Sequence, residues 1–152
     1  MSDELRARAL RLLARREHTR AELARKLAPD AASSDALKAL IDQLSSREQL
    51  SDERYAEARA HQLSRKFGAF RVRRELVAKG VEPEAAARFA ADVEKTDLER
   101  ARAILARKYH EPATAPKERM RRARFLQSRG FSPDVIRRAL GRLRAGASEE
   151  SP

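Results

Sequence analysis

The stretch RRELVAKGVEPEAAARFAADV, residues 73–93, and the stretch ARFLQSRGFSPDVIRRALGRL, residues 123–143, are two versions of one pattern at a constant offset of 50. Gly80 falls on Gly130, Pro83 on Pro133, Leu76 on Leu126 and Val93 on Leu143. A fixed period of this length marks a tandem array, in which small units bury apolar faces within themselves and against their neighbours. An earlier copy is more divergent. RAEL (20–23) echoes RREL (73–76), but a longer connection over 28–34 replaces the glycine turn. Each copy reads as a helical triplet whose second and third members meet at a short turn, similar to a helix-turn-helix.

Outward from these copies the chain reads as helix almost throughout. Ala, Leu, Arg and Glu are strong helix formers, and no segment alternates apolar and polar residues long enough for a strand. Thr19 with Glu22, and Thr96 with Glu99, fit the capping-box spacing. Ser51 precedes Asp52 and Glu53, which suit the positive end of a helix. Pro83, Pro116 and Pro133 suit first-turn positions, and Gly68, Gly80 and Gly130 suit helix ends that need a left-handed residue. The spacing predicts helices over 3–16, 20–27, 34–46, 52–66, 70–79, 83–94, 97–109, 117–129 and 133–144. The expected fold is all-α: three tandem three-helix (helix-turn-helix-like) repeats in an elongated array. The expected limits are 1–50, 51–95 and 96–145, with a disordered tail over 146–152.

Apolar stripes support the triplets. They are Leu5, Ala9, Leu12 and Leu13 in the first helix; Leu98, Ala101, Ile104, Leu105 and Tyr109 in the seventh; and Val135, Ile136, Ala139, Leu140 and Leu143 in the last. Arg8, Arg11 and Arg15, and later Arg137, Arg138, Arg142 and Arg144, take the opposite faces.

Composition excludes several classes of chemistry. Of 152 residues 38% are charged, seven are aromatic (five Phe, two Tyr) and none is Cys, which removes disulfides, thiolate metal sites and a cysteine nucleophile. His18, His61 and His110 stand alone, without the i+3 or i+4 partner of a zinc motif. The five glycines are scattered, so no phosphate-cradling loop is expected and no ATP hydrolysis by this chain. The pairs Asp52/Glu53 and Glu82/Glu84 sit at helix starts, where dipole and capping effects account for them. No serine has a G-x-S-x-G setting. No catalytic residue, metal or cofactor is expected. No apolar stretch approaches the roughly 18–20 residues a membrane helix needs, and the cytoplasm is the expected compartment.

What remains is charge. The net charge is +11, distributed as +2 over 1–50, +2 over 51–95 and +7 over 96–152. Between Lys117 and Arg144 ten basic residues face two acidic ones, Glu118 and Asp134. Such clustering points to an anionic partner, although an Arg- and Ala-rich composition can raise the total by itself. On 117–129 the expected inner stripe is Met120, Ala123 and Leu126. Arg121, Arg122, Phe125 and Arg129 then share an outer face that suits phosphate, with the ring open for stacking. The alternative packs Phe125 against a neighbouring triplet. Arg71, Arg73, Arg74 and Lys79 form a smaller basic run, in which a Glu75–Lys79 pair at i,i+4 competes with any ligand.

The strings LSDERYAEARA (50–60), GAFRVRRELVAKGV (68–81) and RFLQSRGFSPDVIRRAL (124–140) resemble the RecX family of recombinase regulators. Gly68, Arg71, Glu75, Leu76, Lys79 and Gly80 fall on the family pattern G-x-x-R-[IV]-x-x-E-L-x-x-K-G, and Gly130, Phe131 and Ile136 match its last-unit signature. Ala69 departs from a frequent proline, and the first unit is only loosely similar. The resemblance implies tandem three-helix repeats that bind RecA, chiefly its filament on single-stranded DNA. It further implies inhibition of the RecA ATPase, strand-exchange and coprotease activities, and thereby control of recombination, DNA repair and the SOS response. The expected contact residues are Arg71, Arg74, Lys79, Arg121, Arg122, Phe125, Arg129, Arg137 and Arg138. The expected partners are RecA and its filament, with at most weak direct DNA binding, no membrane and a monomeric state. The competing readings are a stand-alone DNA binder, disfavoured by the lack of Asn and Gln for adenine readout on the last helix, and an RNA-binding accessory protein, supported by charge alone.

Overall fold

The structure, a computed structural model, describes residues 2–141. Among them are nine α-helices and no strand: α1 Ser2–Arg15, α2 Arg20–Leu27, α3 Ser34–Ser46, α4 Asp52–Ser64, α5 Ala69–Ala78, α6 Pro83–Glu94, α7 Asp97–Lys108, α8 Pro116–Ser128 and α9 Pro133–Leu140. A 3₁₀ turn, Ala28–Asp30, fills the long connection in the first triplet. The last helix ends four residues before the expected 144, because Gly141 takes φ +72° after Leu140. Arg142, Leu143, Arg144 and the expected tail over 146–152 lie outside the described residues.

The helix starts follow local chemistry. Ser33, Ser51 and Ser132 accept from the N–H groups of Ala36, Arg54 and Val135. The two expected capping boxes are corrected. Thr19 accepts from the Glu22 N–H at 3.0 Å, but the Glu22 carboxylate pairs with Arg16 instead of reaching back. Thr96 is the N-cap of α7, but its side chain makes no cap hydrogen bond. Its hydroxyl donates to the Val93 carbonyl at 3.3 Å and accepts from Arg100 Nε at 3.1 Å.

Each triplet holds a core of its own. Leu5, Ala9, Leu23, Leu27, Leu40, Ile41 and Leu44 fill the first, with Leu50 joining from the following loop. Tyr55, Ala56, Leu63, Val72, Leu76, Val81, Ala86 and Val93 fill the second. Ala101, Leu105, Leu126, Phe131, Val135 and Ile136 fill the third. Small alanines at the crossings let short helices approach closely, so a chain with few aromatics still closes three cores.

The units join by one device, used twice. At the first junction the Arg20 N–H donates to Asp52 Oδ1 at 2.7 Å, and the Thr19 hydroxyl donates to the Lys79 carbonyl. At the second the Ala69 N–H donates to Asp97 Oδ2 at 3.0 Å, and the Gly68 and Phe70 N–H groups donate to the Arg129 and Gly130 carbonyls at 2.8 and 3.1 Å. In both, a carboxylate opening the first helix of one unit caps the middle helix of the unit before it. The C-terminal carbonyls of the next middle helix dock on that same end. Thus α2, α5 and α8 stack head to tail, and their dipoles align favourably. Arg100 completes the second junction. Its guanidinium donates to the carbonyls of Ser64, Phe67 (2.9 Å) and Val93 (2.9 Å) and pairs with the buried Asp97.

Close approach sets the glycines. Gly130, at φ +88°, would place a Cβ 2.4 Å from the Arg71 Cβ and 2.6 Å from its backbone N. Gly68 is the exception to the expected left-handed ends: it is the N-cap of α5 at φ −84°, and a Cβ there would lie 2.6 Å from the Gly130 carbonyl oxygen. Gly130→Ala, which combines a positive φ with overpacking, is expected to destabilise by about 2–4 kcal/mol. Gly68→Ala, which overpacks alone, should cost about 1–3 kcal/mol. Urea unfolding of both variants measures the difference.

Candidate interaction surface

The candidate basic residues divide among the second junction, a cleft at the first junction and the open faces of α5, α8 and α9. At the junction, rings and cations alternate. Arg71 lies 4.3 Å from the Phe67 ring centroid, and Arg129 lies 5.7 Å from Phe67 and 5.1 Å from Phe125. Lys108 sits 3.9 Å over Phe125, and Arg122 sits 4.2 Å over Tyr109. The Tyr109 and Phe125 rings meet edge to face, with centroids 6.3 Å apart. Contacts of this kind contribute about 0.5–2 kcal/mol each, more as water is excluded. Arg129 also donates to the Lys66 carbonyl at 3.3 Å, tying the end of α8 to the loop before α5.

This geometry corrects the expected faces of α8. Met120 is exposed at 57%, whereas Arg122 turns inward, its side chain 12% exposed and paired with Glu118 at 3.3 Å. Phe125 is half-buried against the third core, with Lys108 and Arg129 over its ring. That ring is not an open stacking platform. The expected Glu75–Lys79 pair is also replaced: Glu75 pairs with Arg71 at 3.6 Å.

The remaining candidates lie apart. Arg121 is exposed on α8 and touches Glu118 at 3.4 Å. Arg74 is exposed on α5. Lys79 lines a cleft of about 320 Å³ at the first junction, with Arg16, Glu22, Tyr55 and Arg59. Arg137 and Arg138 are exposed on α9 and share Asp134 at 2.8 and 3.7 Å. So the structure gathers Arg71, Arg122, Phe125 and Arg129 into one lattice and leaves Arg74, Arg121, Arg137 and Arg138 open. Sequence reading missed Phe67, Arg100 and Lys108 and read Tyr109 only as part of an apolar stripe; Phe67 and Arg100 join helices remote in the chain, and Lys108 and Tyr109 join α7 to α8. No group of His, Asp or Glu that could hold a metal ion occurs among the described residues.

Altered titration marks the two junctions. Arg16 holds the Glu22 carboxyl below the usual carboxylate range. Burial lowers His18, against the pull of the Arg16 carbonyl and with the help of the Arg16 and Lys26 charges. His18 Nδ1 lies 3.0 Å from that carbonyl and Nε2 lies 3.1 Å from the Lys26 ammonium, an arrangement that suits the neutral ring. Burial raises Asp97, opposed by the Ala69 N–H and Arg100.

Three family models match consecutive stretches of the chain: the first three-helix domain of RecX over residues 6–44, the second over 51–88 and the third over 95–140. The regulatory protein RecX of Leptothrix cholodnii is 43% identical over 136 residues, covering 90% of this chain and 87% of its own. The regulatory protein RecX of Herbaspirillum seropedicae is 44% identical, covering 89% and 88%. The crystal structure of RecX from Lactobacillus salivarius superposes with a TM-score of 0.77 at 20% identity, over 93% of this chain and 96% of that one.

Two outcomes follow from this geometry. A base whose folded pKa is lowered contributes stability that is present above its unfolded value and lost as pH falls toward the folded one. Acidification from about pH 7.5 to 5.5 should therefore destabilise the protein through His18, and His18→Gln should flatten that slope in denaturant titrations across the window. On α8, Arg122→Glu places a carboxylate beside Glu118 in a half-dry site and should lower the free energy of urea unfolding by about 2 kcal/mol or more, while Arg121→Glu should change it by less than about 0.5 kcal/mol.

Proposed function

The chain belongs to the RecX family of regulatory proteins, and from that membership we propose that it binds the RecA recombinase, chiefly as the filament on single-stranded DNA. It inhibits the ATPase, strand-exchange and coprotease activities of that filament, and so restrains recombination, repair and the SOS response. The protein works in the cytoplasm as a binding module, without catalytic residues of its own. The observation that carries this reading is the ordered match of three RecX three-helix domains along one chain.

The geometry supports a mechanism by obstruction. Three units joined through backbone-to-backbone and carboxylate-to-backbone hydrogen bonds behave as a stiff body, because a rotation at either junction exposes several polar groups at once. A stiff body seated against a polymer of identical subunits opposes relative movements of those subunits during nucleotide turnover. Several weak contacts made together favour the polymer over its free subunit. Open guanidinium groups at Arg74, Arg121, Arg137 and Arg138 supply attraction to an anionic surface and speed encounter at low salt.

The test is direct. Added at near-stoichiometric amounts to RecA–ATP–single-stranded DNA filaments, the protein should suppress ATP hydrolysis. An unchanged rate would overturn the proposal. Arg121→Glu, which spares the fold, should weaken the suppression severalfold, and the more so at low ionic strength.

A further inference from the structure

Three large apolar side chains stand exposed among the described residues: Phe70 at 57%, Val77 at 41% and Met120 at 57%. All three belong to the middle helices of the second and third units. Phe70 and Met120 are separated by the same offset of 50 that relates the two units, so they occupy one repeat position. Four residues further along, Arg74 and Arg124 also occupy one position, and both are exposed. At i,i+4 each arginine lies beside its apolar partner on the helix surface; on α8 the contact is seen, with Arg124 3.6 Å from the Met120 sulfur. On α5 the arc continues through Arg73 and Val77, at i+3 and i+7. Arg73, Arg74 and Arg124 form no ion pair among the described residues, where the nearby carboxylates are engaged elsewhere: Glu75 with Arg71, Glu118 with Arg121 and Arg122.

Folding does not explain these positions. A repeat unit that needed only a solvated face would carry Lys, Glu or Gln there, as Gln127 stands at the Val77 position. The two pairs also lie within reach of one partner. Met120 precedes Arg129 by nine residues, or about 14 Å of helix, and the Arg129 carbonyl receives the N–H of Gly68, two residues before Phe70. A separation on the order of 20 Å fits inside a standard interface of about 800 Å² per partner.

We propose that Phe70 with Arg74 and Met120 with Arg124 are two copies of one docking element, and that their occupant is a protein face carrying apolar side chains and carboxylates together. The composition favours protein over nucleic acid. Base stacking along a strand needs a series of open aromatic faces; Phe70 offers one, but its repeat counterpart Met120 and its neighbour Val77 have none, and the Phe67 and Phe125 rings are overlaid by cations. Aromatic, Met and Arg side chains are the ones enriched where protein meets protein. Resting on the function proposed above, the occupant is a subunit of the RecA filament, and the docking element names the surface that engages it.

The test pairs two double variants, Phe70→Ser/Met120→Ser and Arg74→Glu/Arg124→Glu, with the unaltered protein. Filament binding is read by co-sedimentation with RecA–single-stranded DNA, DNA binding by gel shift on bare single strands, and folding by thermal melts. Both variants should melt within a few degrees of the parent and bind filament at least tenfold more weakly. The loss in the serine variant should persist at high salt, while any binding to bare DNA stays unchanged in that variant. Filament binding equal to the parent in both variants overturns the docking element, while the parent's own binding keeps the broader function intact. Loss of bare-strand binding by the serine variant would also overturn it, by assigning the face to nucleic acid. A parent that fails to bind filament refutes the function itself.

Discussion

The structure depends on how each middle helix begins. A helix N-terminus leaves N–H groups without partners inside the helix, and α2 and α5 hand theirs to the next unit rather than to water. The Arg20 and Ala69 N–H groups reach Asp52 and Asp97, and the caps Thr19 and Gly68 engage the carbonyls of Lys79 and Arg129. One interaction thus satisfies both orphan donors at the start of one helix and orphan acceptors at the end of the next. Removing a neighbour exposes both sets. The units are therefore coupled through polar backbone rather than through a shared apolar interface, which explains three separate cores in one chain.

Much of the positive charge is part of this architecture. Arg100 sits where the ends of α4 and α6 converge and neutralises Asp97 beneath it, so a buried carboxylate and three carbonyls are served by one planar fork. Arg71, Arg122, Arg129 and Lys108 lie over rings. A count of basic residues therefore overstates the charge free to meet a ligand. The guanidinium groups left over are exposed, without an ion pair among the described residues at Arg73, Arg74 and Arg124 and held only by surface pairs at Arg121, Arg137 and Arg138, and they fall on the outer arcs of α5 and α8 and on α9.

The fold was legible because its information is local. Periodicity, first-turn prolines and carboxylates, and turn glycines place the helices within a few residues, and the offset of 50 reveals the units. The junctions were not legible. Asp52 reads from sequence as a dipole partner at the start of its own helix, and nothing nearby says that Arg20 lies across from it. The same holds for Arg100, whose acceptors are 33 and 36 residues away. On α8 the error has a geometric cause. Met120, Ala123 and Leu126 step by three residues, and each such step rotates about 60° backwards on a helix of 3.6 residues per turn. The two ends of that stripe are then about 120° apart, so Leu126 is fully buried, Ala123 packs at the edge of the core and Met120 turns to solvent. Placing Met120 outward brings Arg122 inward by the same rotation.

Stiff junctions also bear on how such a chain recognises a partner. A flexible string of three small units would lose orientational freedom each time another unit engaged, and the ordering would offset part of every new contact. Here the ordering is completed on folding, because the ends of α2, α5 and α8 are hydrogen-bonded to one another before any partner arrives. Side chains at equivalent repeat positions are then held at a fixed spacing, set by helix length and junction geometry. Selectivity for an assembled surface over a scattered one becomes a property of that spacing, and individual contacts can stay weak. The glycines that permit the close junctions at Gly68 and Gly130 are, on this view, as much a part of recognition as the arginines that meet the partner.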